Sequence, residues 1–134
     1  MKIRNNTSPL TLTEKQFLSQ IVDLLKLFHW KFEHTFEQGV YARRTSKGFP
    51  DIVAVRPPRL LFIELKSEKG KLTEDQEAWI DALEGCQKVI TTEPLDVSGK
   101  VAYLRMVNPV PILTIPEVYV FRPSQFEEIT EKLK

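Results

Sequence analysis

The chain has 134 residues, of which 42% are hydrophobic and 28% are charged, as in an ordinary globular domain with its own core. The formal net charge is only +1, which excludes a strongly basic protein that binds nucleic acid through its overall charge. A single cysteine excludes an intrachain disulfide and a cysteine zinc cluster, and no apolar run approaches the ~18 residues of a membrane span.

The first predicted elements are a leader and an amphipathic helix. Residues 1–10 are predicted to be a flexible leader without the apolar core of a signal peptide, which favours a cytoplasmic protein with no membrane partner. Apolar residues then recur at three- and four-residue spacing, which predicts a helix over about 12–30. Two alternative capping boxes fit its start, Thr11 with Glu14 or Thr13 with Gln16.

Two apolar runs in the middle of the chain predict a β-hairpin. Residues 52–55 and 60–65 are separated by a Pro-Pro turn signal. Because side chains alternate along a strand, Glu64 and Lys66 project to the same side, and pairing of the strands would bring Asp51 toward Glu64. Two carboxylates and an ammonium would then lie at one spot. This is a candidate Mg²⁺ site with a phosphate-binding cation beside it.

Further helices and a strand complete the predicted domain. Thr73 is predicted to cap a second helix. Residues 118–121 are predicted to form a short strand, and Ser124 is predicted to begin a final helix with a capping box. Residues 91–117 contain several prolines between short apolar pieces, and we predict an insertion there. The order of elements predicts a single α/β domain over 1–134, with a mixed central sheet flanked by helices.

Basic residues cluster around the start of the predicted hairpin. Five cations oppose one acid in this segment, and they are Arg43, Arg44, Lys47, Arg56 and Arg59. We predict that Arg43, Arg44 and Lys47, which directly precede the acid, contact phosphate groups of nucleic acid. The alternative is a solvated loop.

Each candidate site residue also has a purely structural interpretation. Asp51 fits a turn, and Glu64 with Lys66 fits the solvated end of a half-buried strand. Glu14 and Gln76 are both explained by capping boxes at helix starts. Asp51, the Glu64-x-Lys66 triplet and the Gln76-x-x-Trp79 pattern favour a catalytic site only when they are taken together with a family resemblance.

The combined pattern resembles a known nuclease family. Residues 48–53, 62–66, 70–73 and 76–79 resemble the VRR-NUC domain, the virus-type replication-repair nuclease module of the PD-(D/E)XK nuclease superfamily. The closing residues 119–124 and the leading Glu14 also resemble that family's last strand and first motif. The similarity spans most of residues 12–130, which implies a restriction-endonuclease-like core. The departure from the family is the length of residues 91–117.

The resemblance implies roles for the site residues. The catalytic set would be Glu14, Asp51, Glu64, Lys66 and Gln76. Asp51 and Glu64 would be ligands of Mg²⁺ or Mn²⁺, with the Leu65 backbone carbonyl as a third ligand. Lys66 would orient the attacking water, and Gln76 would hydrogen-bond that water or a phosphate oxygen.

We therefore expect a metal-dependent endonuclease that hydrolyses DNA phosphodiester bonds. Glu14, on the inner face of its predicted helix, would hold a second metal or a metal-bound water. The resemblance implies a structure-specific enzyme that cleaves junctions or branched DNA as a homodimer, in phage-type replication, repair or recombination within a bacterial or phage-infected cell. Two alternatives stay open. One is a catalytically silent nucleic-acid-binding accessory module, and the other is a sequence-specific restriction-type nuclease that would use residues 91–117 for recognition.

Overall fold

The structure is a computed structural model that describes residues 11–35, 46–91 and 112–134. The predicted leader, Arg43, Arg44 and residues 92–111 of the predicted insertion lie outside these described residues. The elements are α1 (Glu14–Leu27), β1 (Lys31–His34), β2 (Ile52–Arg56), β3 (Arg59–Leu65), α2 (Glu74–Gly85), β4 (Lys88–Thr91), β5 (Ile112–Ile115), β6 (Glu117–Phe121) and α3 (Phe126–Leu133).

Four of the strands form the central sheet in the order β1-β2-β3-β6. The pairs β1–β2 and β2–β3 are antiparallel, whereas β3 and β6 are parallel. The predicted hairpin is confirmed, with Ile52 opposite Ile63 and Arg56 opposite Arg59. Strands β4 and β5 form a separate antiparallel ribbon, in which β4 ends where the predicted insertion of residues 91–117 begins and β5 lies within that insertion. The predicted α/β class with a mixed sheet is therefore confirmed.

The hydrophobic core lies on the face of the sheet that α1 and α3 cover. Alternate side chains of β2 and β3 point into it, because successive residues of a strand face opposite sides. Its fully buried members are Phe17, Ile21, Leu25, Ile52, Ala54, Leu61, Ile63, Ile129 and Leu133. Burial of a large aliphatic or aromatic side chain stabilises the fold by about 1.5–3 kcal/mol. In the described part of the chain, no helix is long and apolar enough to cross a membrane.

The helices α1 and α2 begin with the same capping arrangement. In α1, the Gln16 N–H donates to Thr13 Oγ1 at 3.2 Å and the Thr13 N–H donates to Gln16 Oε1 at 3.0 Å. In α2, Thr73 and Gln76 exchange the same two bonds at 2.9 and 3.2 Å. The structure thus selects the second of the two predicted caps for α1, which leaves Glu14 outside the capping box.

The last helix starts differently from the prediction. Residues Pro123–Gln125 form a 3₁₀ turn before α3, and the Arg122 N–H donates to Gln125 Oε1 at 3.0 Å. The Ser124 N–H donates to Glu68 Oε2 at 3.0 Å. The predicted capping box at Ser124 is therefore wrong, because the side chain that bonds the backbone at this helix start belongs to Gln125, one position later.

Candidate active site

The hairpin places three predicted site residues at one end of the sheet, where β2 begins and β3 ends. Asp51 directly precedes β2, while Glu64 and Lys66 lie at the end of β3. The Leu65 backbone N–H donates to Asp51 Oδ2 at 2.7 Å. This bond holds the Asp51 carboxylate beside the chain segment that carries Glu64 and Lys66.

The Gly-Phe-Pro segment that leads into β2 docks α2 at this end of the sheet. Gly48 has a φ of 81°, and a Cβ at this position would lie 2.4 Å from the Asp75 carbonyl carbon. Only glycine permits both the positive φ and the close approach. Phe49 packs edge-on against Trp79 of α2 and Phe62 of β3, with ring centroids 4.9 and 6.1 Å apart. The first turn of α2 is consequently held at the site.

Gln76 reaches the site from that first turn. Its Oε1 accepts the Thr73 N–H in the capping box, so its Nε2 points the other way and donates to Glu64 Oε1 at 2.8 Å. Both side chains are buried, with Gln76 6% and Glu64 2% exposed. The structure therefore shows Gln76 orienting the Glu64 carboxylate. Its contact with a water or a phosphate stays a prediction.

Lys66 is a buried cation close to two carboxylates. Its side chain is 9% exposed, and its Nζ lies 3.9 Å from Glu64 Oε1 and 4.0 Å from Glu14 Oε1. A buried ammonium is costly unless opposite charges lie nearby, so these two carboxylates allow it to remain there. Glu14 comes from the first turn of α1, and its half-exposed side chain borders solvent.

An open pocket of about 140 Å³ lies beside Asp51. Its lining consists of Glu14, Lys15, Leu18, Asp51 and Leu65. In a strand, the N–H and C=O of one residue point toward the same neighbour, so we expect the Leu65 carbonyl to face Asp51 as its N–H does. The pocket therefore has carboxylate and carbonyl oxygens available on one wall.

The donor set fits a hard divalent cation. Asp51, Glu64 and the Leu65 carbonyl would supply only oxygen ligands, which Mg²⁺ and Mn²⁺ prefer. Over residues 11–35, 46–91 and 112–134, no group of three or more His, Cys, Asp or Glu side chains is placed to hold a metal. Two carboxylates with waters in the remaining positions is a usual arrangement for Mg²⁺, so the site fits this ion.

Of Arg43, Arg44 and Lys47, the cations predicted to contact phosphate, only Lys47 lies within the described residues, and its contact with phosphate stays a prediction. Lys47 Nζ lies 3.3 Å from Asp75 Oδ2 at the start of α2, and both side chains are exposed. Arg56 and Arg59 lie at the turn of the hairpin, where their guanidinium carbons are 4.4 and 4.9 Å from the centre of the Trp30 ring. A strand of five residues is about 17 Å long, so the turn is far from the pocket.

Lys15 is a cation at the site that the sequence reasoning missed. It lines the pocket together with Glu14, from the first turn of α1. The one indication in the sequence was that Lys15 directly follows Glu14, a candidate site residue. Because two helix starts were possible, the direction of the Lys15 side chain could not be predicted. Of the residues that line this pocket, Lys15 is the one with a positive charge.

A second charged cluster at the hairpin turn is structural. Arg59 donates two hydrogen bonds of 2.8 Å to the Glu117 carboxylate, and Tyr119 Oη donates to Glu117 Oε1 at 2.7 Å. Burial and the bond to Glu117 raise the pKa of Tyr119 to about 12. Burial works to raise the pKa of Glu117, but the bonds from Arg59 and Tyr119 outweigh it and lower that pKa. The cluster ties the start of β3 to the start of β6.

The sequence of the chain matches one known protein family. The sequence profile of the VRR-NUC domain matches residues 11–96, which is more than half of the chain. The chain belongs to the VRR-NUC family. No curated protein and no solved structure matches it.

The match fits the geometry of the site. It covers every predicted catalytic residue, from Glu14 on α1 to Gln76 on α2, and indicates a nuclease-type function within the PD-(D/E)XK superfamily. The match ends at residue 96, so the predicted similarity of residues 119–124 to the family's last strand lies outside it. Strand β6 nevertheless completes the central sheet of this VRR-NUC domain, since it pairs with β3 along the strand that carries Glu64.

Proposed function

We propose that this VRR-NUC domain is a metal-dependent deoxyribonuclease that cleaves phosphodiester bonds within DNA. The observation that carries the proposal is the pair Glu64 and Lys66, 2% and 7% exposed, buried at a strand end next to Asp51. Apolar residues of similar size would stabilise such a position at least as well. Buried charges that converge beside a pocket are instead typical of catalytic sites.

Each group has a chemical role in this proposal. Asp51, Glu64 and the Leu65 carbonyl would hold Mg²⁺ or Mn²⁺, which when bound activates a water and neutralises phosphate oxygens. The Leu65 N–H and the Gln76 amide keep the two carboxylates oriented before substrate arrives. Lys66 would place its positive charge beside the attacked phosphate, where it stabilises the negative charge that develops in the transition state.

Neutral, equally sized substitutions of the two acids test this function. Asp51→Asn and Glu64→Gln should each lower Mg²⁺-dependent cleavage of plasmid DNA by at least about 100-fold, since a catalytic metal contributes several kcal/mol to transition-state stabilisation. DNA binding in Ca²⁺ should persist in both variants. The control is Glu33→Gln, which removes an exposed carboxylate on β1 and should leave cleavage unchanged.

The outcomes of this test separate the alternatives. Cleavage that survives in either variant would sink the assignment of these carboxylates. Wild-type protein that binds DNA but neither cleaves it nor binds Mg²⁺ or Mn²⁺ in calorimetry would instead identify a silent accessory module.

We further propose that Lys15 contacts a substrate phosphate at the open side of the pocket. Its support is the position of the side chain on the pocket wall. Lys15→Ala should reduce the slope of log K against log salt concentration by about 0.9 for duplex DNA, the effect of one lost phosphate contact. Lys26→Ala, in the last turn of the same helix, is the matched control. An equal change in both variants would show that only overall charge matters.

We extend the proposal to branched DNA cleaved by a homodimer, in phage-type replication, repair or recombination. The support is the VRR-NUC match, and a symmetric homodimer would present two such sites to the two strands of a branch. Cleavage of four-way, flap, splayed and linear substrates should favour a branched one, and sedimentation velocity should detect the dimer. Equal rates on all substrates by a monomer would refute this extension.

A further inference from the structure

Arg122 binds the turn that follows the site lysine. Its Nη1 donates its two hydrogens to the carbonyl oxygens of Ser67 at 2.7 Å and Gly70 at 2.6 Å, and the Glu68 carbonyl, 3.3 Å away, shares one of them. These carbonyls belong to residues 67–70, which we call the post-lysine turn. A charged donor forms stronger hydrogen bonds than a neutral one, so a single guanidinium holds this turn at three points.

The post-lysine turn packs directly against the site. A Cβ built on Gly70 would lie 3.5 Å from the Lys66 side-chain carbon Cδ and 3.5 Å from Glu14 Oε1. The backbone of Gly70 is therefore close to the stem of the buried lysine and to the carboxylate that faces its ammonium. A displacement of the turn would uncover both groups.

The end of β6 and the residues that follow it anchor this region at three positions, Phe121, Arg122 and Ser124. The Lys66 N–H donates to the Phe121 carbonyl at 3.0 Å, which ties the backbone of the lysine to β6. Arg122, the next residue, then reaches over the turn. A third tie comes from Ser124, whose N–H donates to Glu68 Oε2 at 3.0 Å.

From these contacts we propose that Arg122 is a positioning residue for the nuclease site, acting through the post-lysine turn to hold the Lys66 ammonium beside Glu64 and Glu14. The proposal rests on the proposed nuclease function for its catalytic consequence. Its structural part, the restraint of the turn and of Lys66, stands on the contacts alone. Arg122 itself is not a catalytic residue, because it acts through the turn.

The chain offers a matched control at the opposite end of the sheet. Arg56 also uses its guanidinium to bind backbone carbonyls, those of Phe28 at 2.8 Å and Lys134 at 2.7 Å. Arg56→Ala therefore removes a similar set of bonds far from the pocket. It reports the effect of lost stability without a loosened site.

The structural part is tested by limited proteolysis and chemical labelling of the full chain. In Arg122→Ala, trypsin should cut after the exposed Lys69 and Lys71 at least about tenfold faster than in Arg56→Ala, because cleavage follows local opening of the turn. Reductive methylation followed by mass spectrometry should also label Lys66 faster in Arg122→Ala alone. Equal rates in the two variants would overturn the proposal.

The catalytic part is tested by kinetics well below the melting temperature of each variant. Arg122→Ala should lower kcat by about 10- to 100-fold, as expected for a misplaced catalytic group, and change KM for DNA by less than about threefold. Millimolar guanidinium chloride should restore part of kcat to Arg122→Ala, whereas the same concentration of sodium chloride should not. Arg56→Ala should keep the wild-type kcat.

These measurements test the positioning role of Arg122 and the proposed nuclease function separately. A loosened turn with unchanged kcat, or no guanidinium rescue, would overturn the positioning role. Should Arg122→Ala not fold, Arg122→Lys serves for the same measurements, since the lysine side chain is shorter and its ammonium does not reach the carbonyls that Nη1 contacts. A wild-type protein without cleavage would refute the proposed function, while proteolysis and labelling would still decide whether Arg122 holds the turn and Lys66.

Discussion

Replacing Gln76 with glutamate tests how the site holds its buried carboxylate. The amide of Gln76 has two partners, since Oε1 accepts the Thr73 N–H and Nε2 donates to Glu64 Oε1 at 2.8 Å. Glutamate has the same size and can keep the cap. Its second oxygen, however, would face the Glu64 carboxylate where the amide had donated. A favourable hydrogen bond would thus become a contact between two acids.

The expected loss follows from that distance. Two unit charges 2.8 Å apart repel by about 6 kcal/mol at an effective dielectric constant of about 20. The two carboxylates avoid this repulsion when one of them binds a proton. Protonating a carboxylate with a pKa near 4.3 costs about 3.7 kcal/mol at pH 7 and about 1 kcal/mol at pH 5, which is less than the repulsion. The shared proton raises the pKa of the pair in the folded state. The stability of the variant relative to wild type is therefore retained below about pH 4.3 and lost as the pH rises.

The measurement is urea unfolding in EDTA, followed by tryptophan fluorescence at pH 7 and pH 5. Gln76→Glu should lower the free energy of unfolding by about 3.7 kcal/mol at pH 7 and by about 1 kcal/mol at pH 5, each relative to wild type at that pH. The matched control is Gln16→Glu, because Gln16 has the same place in the capping box of α1 but is exposed. It should change stability by less than about 1 kcal/mol.

Two results would refute this reasoning. Equal losses in the two variants would mean that Gln76 matters only as a cap. A loss in Gln76→Glu that does not shrink between pH 7 and pH 5 would mean that the new carboxylate does not meet Glu64.

Other features of the fold make further predictions. Gly48→Ala should lower stability by at least about 2 kcal/mol, because a left-handed alanine costs about 1–2 kcal/mol and its Cβ would also meet the backbone of α2. The control is Gly85→Ala, in which the new Cβ meets nothing within 4 Å and thermal unfolding should show a change in stability of no more than about 1 kcal/mol. Similar losses of stability in the two variants would contradict the close packing of Gly48 against α2. The folded pKa of Tyr119, about 12, exceeds the ordinary tyrosine value of 10.0, so its contribution to stability should be present below pH 10 and be lost as the pH approaches 12. Tyr119→Phe should remove that slope in urea titrations, and an unchanged slope would assign it elsewhere. Glu117→Gln should lower the pKa of Tyr119 in ultraviolet titration and cost about 1–3 kcal/mol, because Arg59 loses its charged partner; an unchanged titration would refute the coupling.

Local patterns in the sequence were sufficient for the hairpin and for the start of α2, but not for the starts of α1 and α3. Strands of alternating or continuous apolar residues around a Pro-Pro turn predict antiparallel pairing, and pairing next to a turn sets the register. For that reason Asp51 could be placed beside the end of β3 without a structure. The Thr-x-x-Gln pattern likewise predicted the cap of α2, and for α1 it was one of two alternatives.

Longer-range pairings could not be read from these patterns. The predicted hairpin placed Arg56 and Arg59 at its turn, away from the other three cations of the cluster, but only the structure shows that both guanidinium groups lie over the Trp30 ring. A strand carries neighbours in the chain to opposite ends of a sheet, so closeness in sequence did not mean a shared surface. Lys15 shows the reverse case, since the packing of α1 brought it to the pocket.

The sequence by itself determined the acids and the lysine of the candidate site, because one hairpin carries Asp51, Glu64 and Lys66. Only the tertiary structure decided what holds them in place. The direction of the Gln76 amide depends on the docking of α2, and the bonds from Arg122 to the post-lysine turn depend on β6 lying beside β3. Such contacts join segments far apart in the chain, and they exist only once the sheet and its helices have packed together.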